Sequence, residues 1–258
     1  LPDLPVRSSP PEMARIVSRI VSKYSRKKDS YADAKKKSNE AALAAYPILK
    51  ARLTGSEDPL AYAVELAIAG NIIDYGAKNN LDVDAELARI LAREETAIRH
   101  ESRSLFDLGR FVGSIEAAHR ILYLADNAGE TVFDRILIEW IKELYPSKEI
   151  LYAVKSRPAL NDALIEDAVF SGIDSVARII ASGSDAPGTV LSLCTPEFRR
   201  LFRAADMVIS KGQGNFEALS GKTRREVFFL FMVKCPVIAR HVDCRIGDVV
   251  LHCHPGGK

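Results

Sequence analysis

The sequence predicts an α/β fold: a three-layer domain with a mostly parallel sheet, preceded by an all-helical N-terminal region. From Glu12 to about Glu95, apolar residues recur at helical spacing and no stretch resembles a strand. After about residue 103, short apolar runs typical of buried strands alternate with helix-like stretches. We therefore expect two units, a helical region or cap at residues 1–103 and an α/β domain at residues 104–258.

The composition limits the class of protein. The chain has 258 residues, 47% of them hydrophobic, which is enough for a sizeable core. A net charge of +2 gives no general attraction to nucleic acids or anionic membranes. No apolar run approaches the roughly 18 residues of a membrane-spanning helix. The first residues do not resemble a signal peptide, and the four cysteines form no CxxC pair. We expect a cytoplasmic protein with neither a nucleic-acid nor a membrane partner; the composition leaves the oligomeric state open.

Four helices are predicted in the N-terminal region. The third begins with Asp58 as its N-cap and Pro59 at its first position, a combination typical of helix starts. The basic clusters at 26–28 and 35–37 are interpreted as solvated helix faces. The predicted helices span residues 12–24, 30–53 (with a kink or break at Pro47), 58–75 and 83–93.

In the second unit, the hydrophobic pattern predicts a regular alternation of elements. Helices are expected at 104–118, 131–144, 162–170, 196–204 and 213–219. Strands are expected at 121–125, 149–154, 175–181 and 207–210, with further strands at 227–233, 237–239 and 249–252.

Polar residues follow each of the first four predicted strands. Because parallel strands place their carboxyl ends along one edge, and ligands bind outside that edge, these loops should converge. Carboxylate and amide oxygens suit a hard divalent cation, and lysines with backbone N–H groups suit phosphate. The pattern predicts a metal-assisted phosphate site. Its candidate residues are Asp126, Asn127, Glu130, Arg157, Asn161, Asp162, Asp185, Lys211, Gly212, Asn215 and Glu217.

Two further polar residues interrupt an apolar helix. Asn71 and Asp74 are three positions apart and therefore share a helix face. Either they make a structural hydrogen bond near the helix end, or this helix caps the site and they contact the substrate.

Other nucleotide and metal motifs are rejected or weak. Glu217 occupies the third glycine position of a dinucleotide-binding loop, and Phe216 occupies the first glycine position of a P-loop. The C-terminal His and Cys residues match no zinc module, although zinc there stays a minor alternative.

Five motifs in combination resemble the damage-control phosphatase family, nearest to its archaeal-type branch, first catalogued as a domain of unknown function. They are Ala69-Gly-Asn-Ile-Ile-Asp74, Asp126-Asn-Ala-Gly-Glu130, Asn161-Asp162, Ser184-Asp-Ala-Pro-Gly188 and Lys211-Gly-Gln-Gly-Asn-Phe-Glu217. The resemblance implies a divalent metal (manganese, nickel, cobalt or magnesium) held by Asp126, Asn127 and Asp162. It implies that Lys211 contacts phosphate, and that Asp126, Asp162 and Lys211 are the catalytic residues. The implied activity is hydrolysis of phosphate monoesters of small, damaged or normal metabolites such as sugar phosphates.

The chain departs from the family pattern in two places. It lacks the cysteine pair common near the N-terminus of this branch, and Ser156-Arg157-Pro158 stands where small glycines are expected. Arg157 could add phosphate affinity or narrow the substrate range. Two alternatives stay open: an S-adenosylmethionine-dependent carboxyl methyltransferase, and a noncatalytic phosphometabolite-binding protein. The sequence does not decide between a covalent phosphoenzyme and direct attack by water.

Overall fold

A computed structural model describes residues 9–25, 27–70 and 105–254. The helices are α1 Pro10–Ser25, α2 Ala32–Thr54, α3 Pro59–Ala69, α4 Leu108–Ala117, α5 Glu130–Leu144, α6 Ile165–Phe170, α7 Pro196–Ala204, α8 Gln213–Leu219 and α9 Pro236–His241. The strands are β1 Arg120–Leu124, β2 Glu149–Val154, β3 Arg178–Ala181, β4 Met207–Lys211, β5 Val227–Met232 and β6 Val249–His254. Short 3₁₀ turns lie at Ile173–Ser175 and Leu191–Leu193.

The strands form one six-stranded sheet in the order β3-β2-β1-β4-β5-β6. The first five are parallel, and β6 is antiparallel to β5. This arrangement confirms the predicted mostly parallel sheet. The chain moves outward from β1 to β3 and then returns to pair β4 with the other side of β1, so the strand order reverses between β1 and β4. Open α/β sheets bind ligands at such a reversal.

Helices cover both faces of the sheet, as the three-layer prediction requires. Strand β1 shows why: Ile121 and Tyr123 point into one apolar cluster, while Leu122 and Leu124 point into the other. The first cluster includes residues of α2, α3, α4 and α5, and the second includes residues of α7, α8 and α9. Because the sheet is buried on both faces, its central strands are continuous apolar runs rather than alternating ones.

The N-terminal helices contribute directly to the core. Leu49 of α2 and Val64 of α3 are fully buried in the same cluster as the sheet residues. At the end of α3, a Cβ atom on Gly70 would lie 2.8 Å from the ring of Phe133, so the helix approaches α5 closely there. Helices α2 and α3 thus belong to one outer layer of the α/β sandwich, whereas α1 lies outside this cluster. The expected boundary at residue 103 lies outside the described residues.

The predicted helix starts have a physical basis in the structure. Asp58 accepts a hydrogen bond of 3.0 Å from the backbone N–H of Ala61, and Pro59 occupies the first helical position. Thr195 caps α7 in the same way, accepting from the N–H of Phe198 at 3.1 Å.

Several predicted element bounds were wrong. Residues 237–239 were expected to form a strand but belong to helix α9, which begins at Pro236. Proline is favoured in the first turn of a helix, whereas in a sheet it cannot donate a backbone hydrogen bond. Strand β3 begins at Arg178, after a 3₁₀ turn, and α6 begins at Ile165 rather than 162. Helix α2 continues through Pro47. The expected helical segments at 71–75 and 83–93 lie outside the described residues. Within the described ranges, no helix is long and apolar enough to cross a membrane.

Candidate functional site

A cavity of about 290 Å³ lies at the carboxyl ends of the parallel strands, and we call it the strand-end cavity. Every loop that follows a parallel strand contributes to it. Its walls include Asp126 after β1, Asn161 and Asp162 after β2, Pro187 after β3, Gln213, Gly214 and Glu217 after β4, and Lys234 after β5. Pro10, Pro11 and Ala14 of α1 also line this cavity. The predicted convergence of these loops is therefore present.

The loops after β1 and β2 are held together by their main chains. Ala128 N–H donates to the carbonyl of Asn161, and Ala163 N–H donates to the carbonyl of Asp126, each at 2.9 Å. These bonds form an isolated antiparallel bridge between Asn127 and Asp162. The three predicted metal ligands are consequently fixed beside one another by backbone as well as side-chain contacts.

The side chain of Asn127 connects two buried acids. Its Nδ2 donates to Oδ2 of Asp126 at 3.1 Å and to Oε1 of Glu130 at 2.8 Å. All three side chains are buried. These two hydrogen bonds fix the amide of Asn127 between the two acids.

Asp162 lies beside a second lysine. The Nζ of Lys155 is 3.3 Å from Oδ2 of Asp162 and donates to the carbonyl of Gly188 at 2.8 Å. The N–H of Gly188 donates to the same carboxylate oxygen at 3.3 Å. Lys155 thereby links the loops after β2 and β3.

The acids of the site are destabilised in their charged forms. Burial raises the pKa of Asp126 to about 7, and the charge of Asp162 adds to the rise. Burial likewise raises the pKa of Asp162 to about 6, against the opposing effect of Lys155. For Glu130, burial raises the pKa to about 7, with Lys211 opposing it. Buried carboxylates that repel one another are stabilised by a bound cation.

Gly212, directly after β4, allows the backbone to approach the carboxylate of Asp126 closely. Its φ is +79°, a conformation that favours glycine, and a Cβ atom there would clash with the carboxylate of Asp126. Asn215, one turn further on, donates to the carbonyls of Ala125 and Lys211 at 3.0 and 2.7 Å. Neither Asn215 nor Gly212 lines the cavity, and both act through backbone placement.

The structure places Lys211 beneath the cavity rather than on its wall. Its Nζ lies 2.8 Å from Oδ1 of Asp134 and 3.2 Å from Oε2 of Glu130. Although burial opposes it, the charges of Asp134 and Glu130 hold the pKa of Lys211 above its usual value. The hydroxyls of Tyr123 and Tyr152 donate to the two oxygens of Asp134 at 2.7 and 2.6 Å. Lys211 therefore belongs to a buried polar network that supports Glu130.

Helix α2 makes hydrogen bonds that hold the loop between β1 and α5 in place. The side chain of Asn39 accepts a hydrogen bond of 2.6 Å from the N–H of Gly129 and donates to Asp167 at 2.7 Å. Lys35 lies 2.6 Å from Asp29 and 3.6 Å from Asp167. The interpretation of both basic clusters as solvated was wrong for Lys35, because this residue is buried by its acidic partners. Lys27, Lys28, Lys36 and Lys37 are exposed as expected.

Two predicted residues line a different cavity. Arg157 and Asp185 contribute to a second space of about 490 Å³, which we call the side cavity. Asp185 is bound by Arg15 at 2.5 Å and by Arg19 at 2.7 Å, so α1 is tied to the loop after β3. These two arginines keep the pKa of Asp185 below its usual value even though burial opposes them.

The remaining predictions are placed as follows. Asn161 and Glu217 line the strand-end cavity, whereas Glu130 lies behind Asn127. Asn71 and Asp74 fall outside the described residues. Among the described residues, no three His, Cys, Asp or Glu side chains form a metal-binding group. The expected ligand set has only two such residues, Asp126 and Asp162, with the amide of Asn127 as the third.

Several functional contacts were missed by the sequence analysis. Asp134 lies four residues after Glu130, among apolar residues of α5, and an acid on an apolar helix face was a usable signal. Lys155 directly follows the second strand of the sheet, and that position was a usable signal. Asn39, Arg15 and Lys234 carry no local signal, because their partners lie far away in the sequence.

Comparisons with known proteins identify the family and the fold. The family model described as Damage-control phosphatase ARMT1-like domain matches residues 2–250. A damage-control phosphatase of Pyrococcus horikoshii is 36% identical over 223 residues, covering 86% of this chain and 74% of that protein. One of Archaeoglobus fulgidus is 33% identical, covering 86% and 75%. The crystal structure of a DUF89 family protein from P. horikoshii has a TM-score of 0.81 and 31% identity, covering 93% of this chain and 80% of that one.

Proposed function

The chain belongs to the damage-control phosphatase ARMT1-like family, and from this premise we propose that it is a phosphatase. Two relatives bear that name. The reaction we propose is hydrolysis of phosphate monoesters of small metabolites such as sugar phosphates. Water supplies the oxygen that joins phosphorus, the bond from phosphorus to the ester oxygen breaks, and the departing oxygen takes up a proton.

The observation that carries the proposal is the pair of buried acids, Asp126 and Asp162, in one cavity at the reversal of strand order. Burial raises the pKa of both acids, so their charged forms are costly here and a bound cation would stabilise them. Together with the amide of Asn127, they provide the hard oxygen ligands that suit manganese, nickel, cobalt or magnesium. A bound divalent ion would supply Lewis-acid polarisation of the phosphoryl group and a more acidic water.

The lysines around the cavity fit an anionic substrate. Lys155 lies against Asp162, and Lys234 lines the cavity wall. Their positive charge would offset part of the negative charge of a phosphate. We assign Lys211 a positioning role, because its ammonium already contacts Glu130 and Asp134 below the cavity.

The test is hydrolysis of p-nitrophenyl phosphate and a panel of sugar phosphates, with EDTA and with each of the four metals added in turn. We expect metal-dependent turnover that Asp126→Ala and Asp162→Ala abolish. Asp174→Ala removes an exposed carboxylate and serves as the control. Absence of metal-dependent turnover across the whole panel would refute the proposal. Tight binding of phosphorylated compounds without turnover would instead support a binding protein.

A further inference from the structure

The side cavity adjoins the proposed catalytic cavity. Leu160 lines both spaces, and the next two residues, Asn161 and Asp162, belong to the strand-end cavity. Leu160 has a φ of 54°, a left-handed conformation that bulky L-residues rarely adopt. The chain therefore holds an unusual backbone conformation at the point where the two spaces meet. A molecule whose phosphate lies beside Asp162 therefore has the side cavity next to it, on the side of Leu160.

The walls of the side cavity are largely apolar. They include Val17 and Val21 of α1, Tyr31 of the α1–α2 connection and Pro158 of the loop after β2. The volume of about 490 Å³ lies within the range of small-molecule sites. It is larger than the strand-end cavity and has room for a group bigger than a three-carbon or sugar moiety.

The charged residues of this cavity leave a positive excess. Asp185 is neutralised by Arg15 and Arg19, and Asp29 is neutralised by Lys35. In the part of the chain that the structure describes, the two remaining cations, Lys28 and Arg157, have no acidic partner. Both are exposed at the cavity, where a negatively charged group on a ligand would meet them.

We propose that the side cavity binds the leaving group of the substrate, and that this group combines an apolar, ring-sized body with a second anionic group. The inference rests on the proposed phosphatase function and narrows its substrate class. The phosphate occupies the strand-end cavity, the apolar body contacts Val17, Val21 and Tyr31, and the second anion contacts Arg157. Small, uncharged leaving groups would use only the first cavity.

Three esters test this step by step: phenyl phosphate, 2-naphthyl phosphate and 6-carboxy-2-naphthyl phosphate. The second adds a ring and the third adds a carboxylate, while each contains one phosphate ester. We expect kcat/KM of the wild type to rise about 5- to 10-fold with the added ring, as burial of that apolar area allows. The carboxylate should add roughly another 3- to 10-fold, as a charge-assisted contact provides.

Two variants separate the contributions. Ser18→Trp fills the side cavity from α1 and should remove the gain from the added ring. Arg157→Ala should remove the gain from the carboxylate. Arg200→Ala, which removes an exposed arginine of α7 outside both cavities, should change neither ratio. Because each ratio is compared between enzymes on the same esters, the intrinsic reactivity of the esters cancels.

A binding measurement keeps this inference separate from the phosphatase proposal. The fluorescent product, 6-hydroxy-2-naphthoate, should bind the wild type and bind Ser18→Trp and Arg157→Ala at least 5-fold more weakly. If none of the esters is hydrolysed but this binding pattern holds, the phosphatase proposal fails and the side-cavity site stands. If the esters are hydrolysed with equal kcat/KM, or if neither variant alters the ratios or the binding, the side-cavity inference is overturned.

Discussion

The ammonium of Lys211 lies 2.8 Å from Oδ1 of Asp134, with both side chains almost completely excluded from solvent. The same ammonium contacts Glu130, which in turn accepts from Asn127. A continuous set of polar contacts thus runs from the core tyrosines to the floor of the strand-end cavity.

Removal of this cation should destabilise the protein strongly. Lys211→Met leaves Glu130 and Asp134 buried without their cation, which we expect to cost about 3–5 kcal/mol of unfolding free energy. Urea unfolding measures the effect. Lys36→Met, at an exposed position of α2, should change stability by less than about 0.5 kcal/mol. If Lys211→Met keeps wild-type stability but loses activity, the positioning role is contradicted. The result would instead support the direct contact between Lys211 and phosphate that was expected from the sequence.

Substitution of Gly212 should separate backbone strain from a clash in the site. Gly212→Ala and Gly221→Ala both place an L-residue at positive φ, at +79° and +67°. Each should lose about 1–2 kcal/mol of stability. Only at Gly212 does the new Cβ meet the carboxylate of Asp126, whereas nothing lies within 4 Å of it at Gly221. We expect Gly212→Ala alone to lose at least about 10-fold in kcat/KM, since a displaced catalytic group is costly. Equal activity in the two variants would contradict this assignment of Gly212.

The stability of the metal-free protein should fall as the pH rises from about 4 to about 7. In this range the folded state holds protons on Asp126, Glu130 and Asp162, whose pKa values are about 7, 7 and 6, while the unfolded state has already released them. The folded state binds more protons, so stability decreases with pH.

Urea unfolding of the metal-free protein at intervals between pH 4.5 and 7.5 measures this dependence. Asp126→Asn should reduce the slope, because one of the titrating groups is gone. A metal ion should reverse the trend, since it binds the deprotonated acids and its affinity should weaken below about pH 6. An identical slope in wild type and Asp126→Asn would show that Asp126 titrates at its ordinary pKa.

Loss of Asn39 should loosen the start of α5. Asn39→Ala removes the acceptor for Gly129 N–H and the donor to Asp167, and we expect a loss of about 1–3 kcal/mol. Amide hydrogen exchange should show faster exchange at Gly129 than in the wild type. Glu40→Ala, at the exposed neighbouring position, is the matched control. Unchanged protection of Gly129 would mean that this bond contributes little in solution.

The family, the sheet and the convergence of the strand-end loops could be predicted from the sequence, because each depends on local patterns. An apolar run ending in Asp126-Asn127 identifies both a buried strand and the edge where it stops. The surroundings of Lys211 could not be predicted in this way. They are set by Asp134 and by tyrosines from two strands, which come together only in the folded chain.

Arg157 and Lys35 illustrate the same limit. Arg157 was expected near the phosphate, but its loop turns it toward the side cavity. Lys35 belongs to a run of three lysines that was expected to be solvated, yet its ammonium lies near Asp29 and Asp167. Side-chain burial depends on which elements pack against a helix, and that information is spread over the whole chain.

The bond between Asn39 and Gly129 joins residues 90 positions apart, and this separation bears on how the protein is made. During synthesis α2 leaves the ribosome well before β1 has been made. The apolar side of α2 therefore stays unpacked until the sheet has formed. Closing so long a loop is slow compared with forming a helix. We therefore expect the strand-end acids to reach their final positions late in folding, after the sheet has assembled.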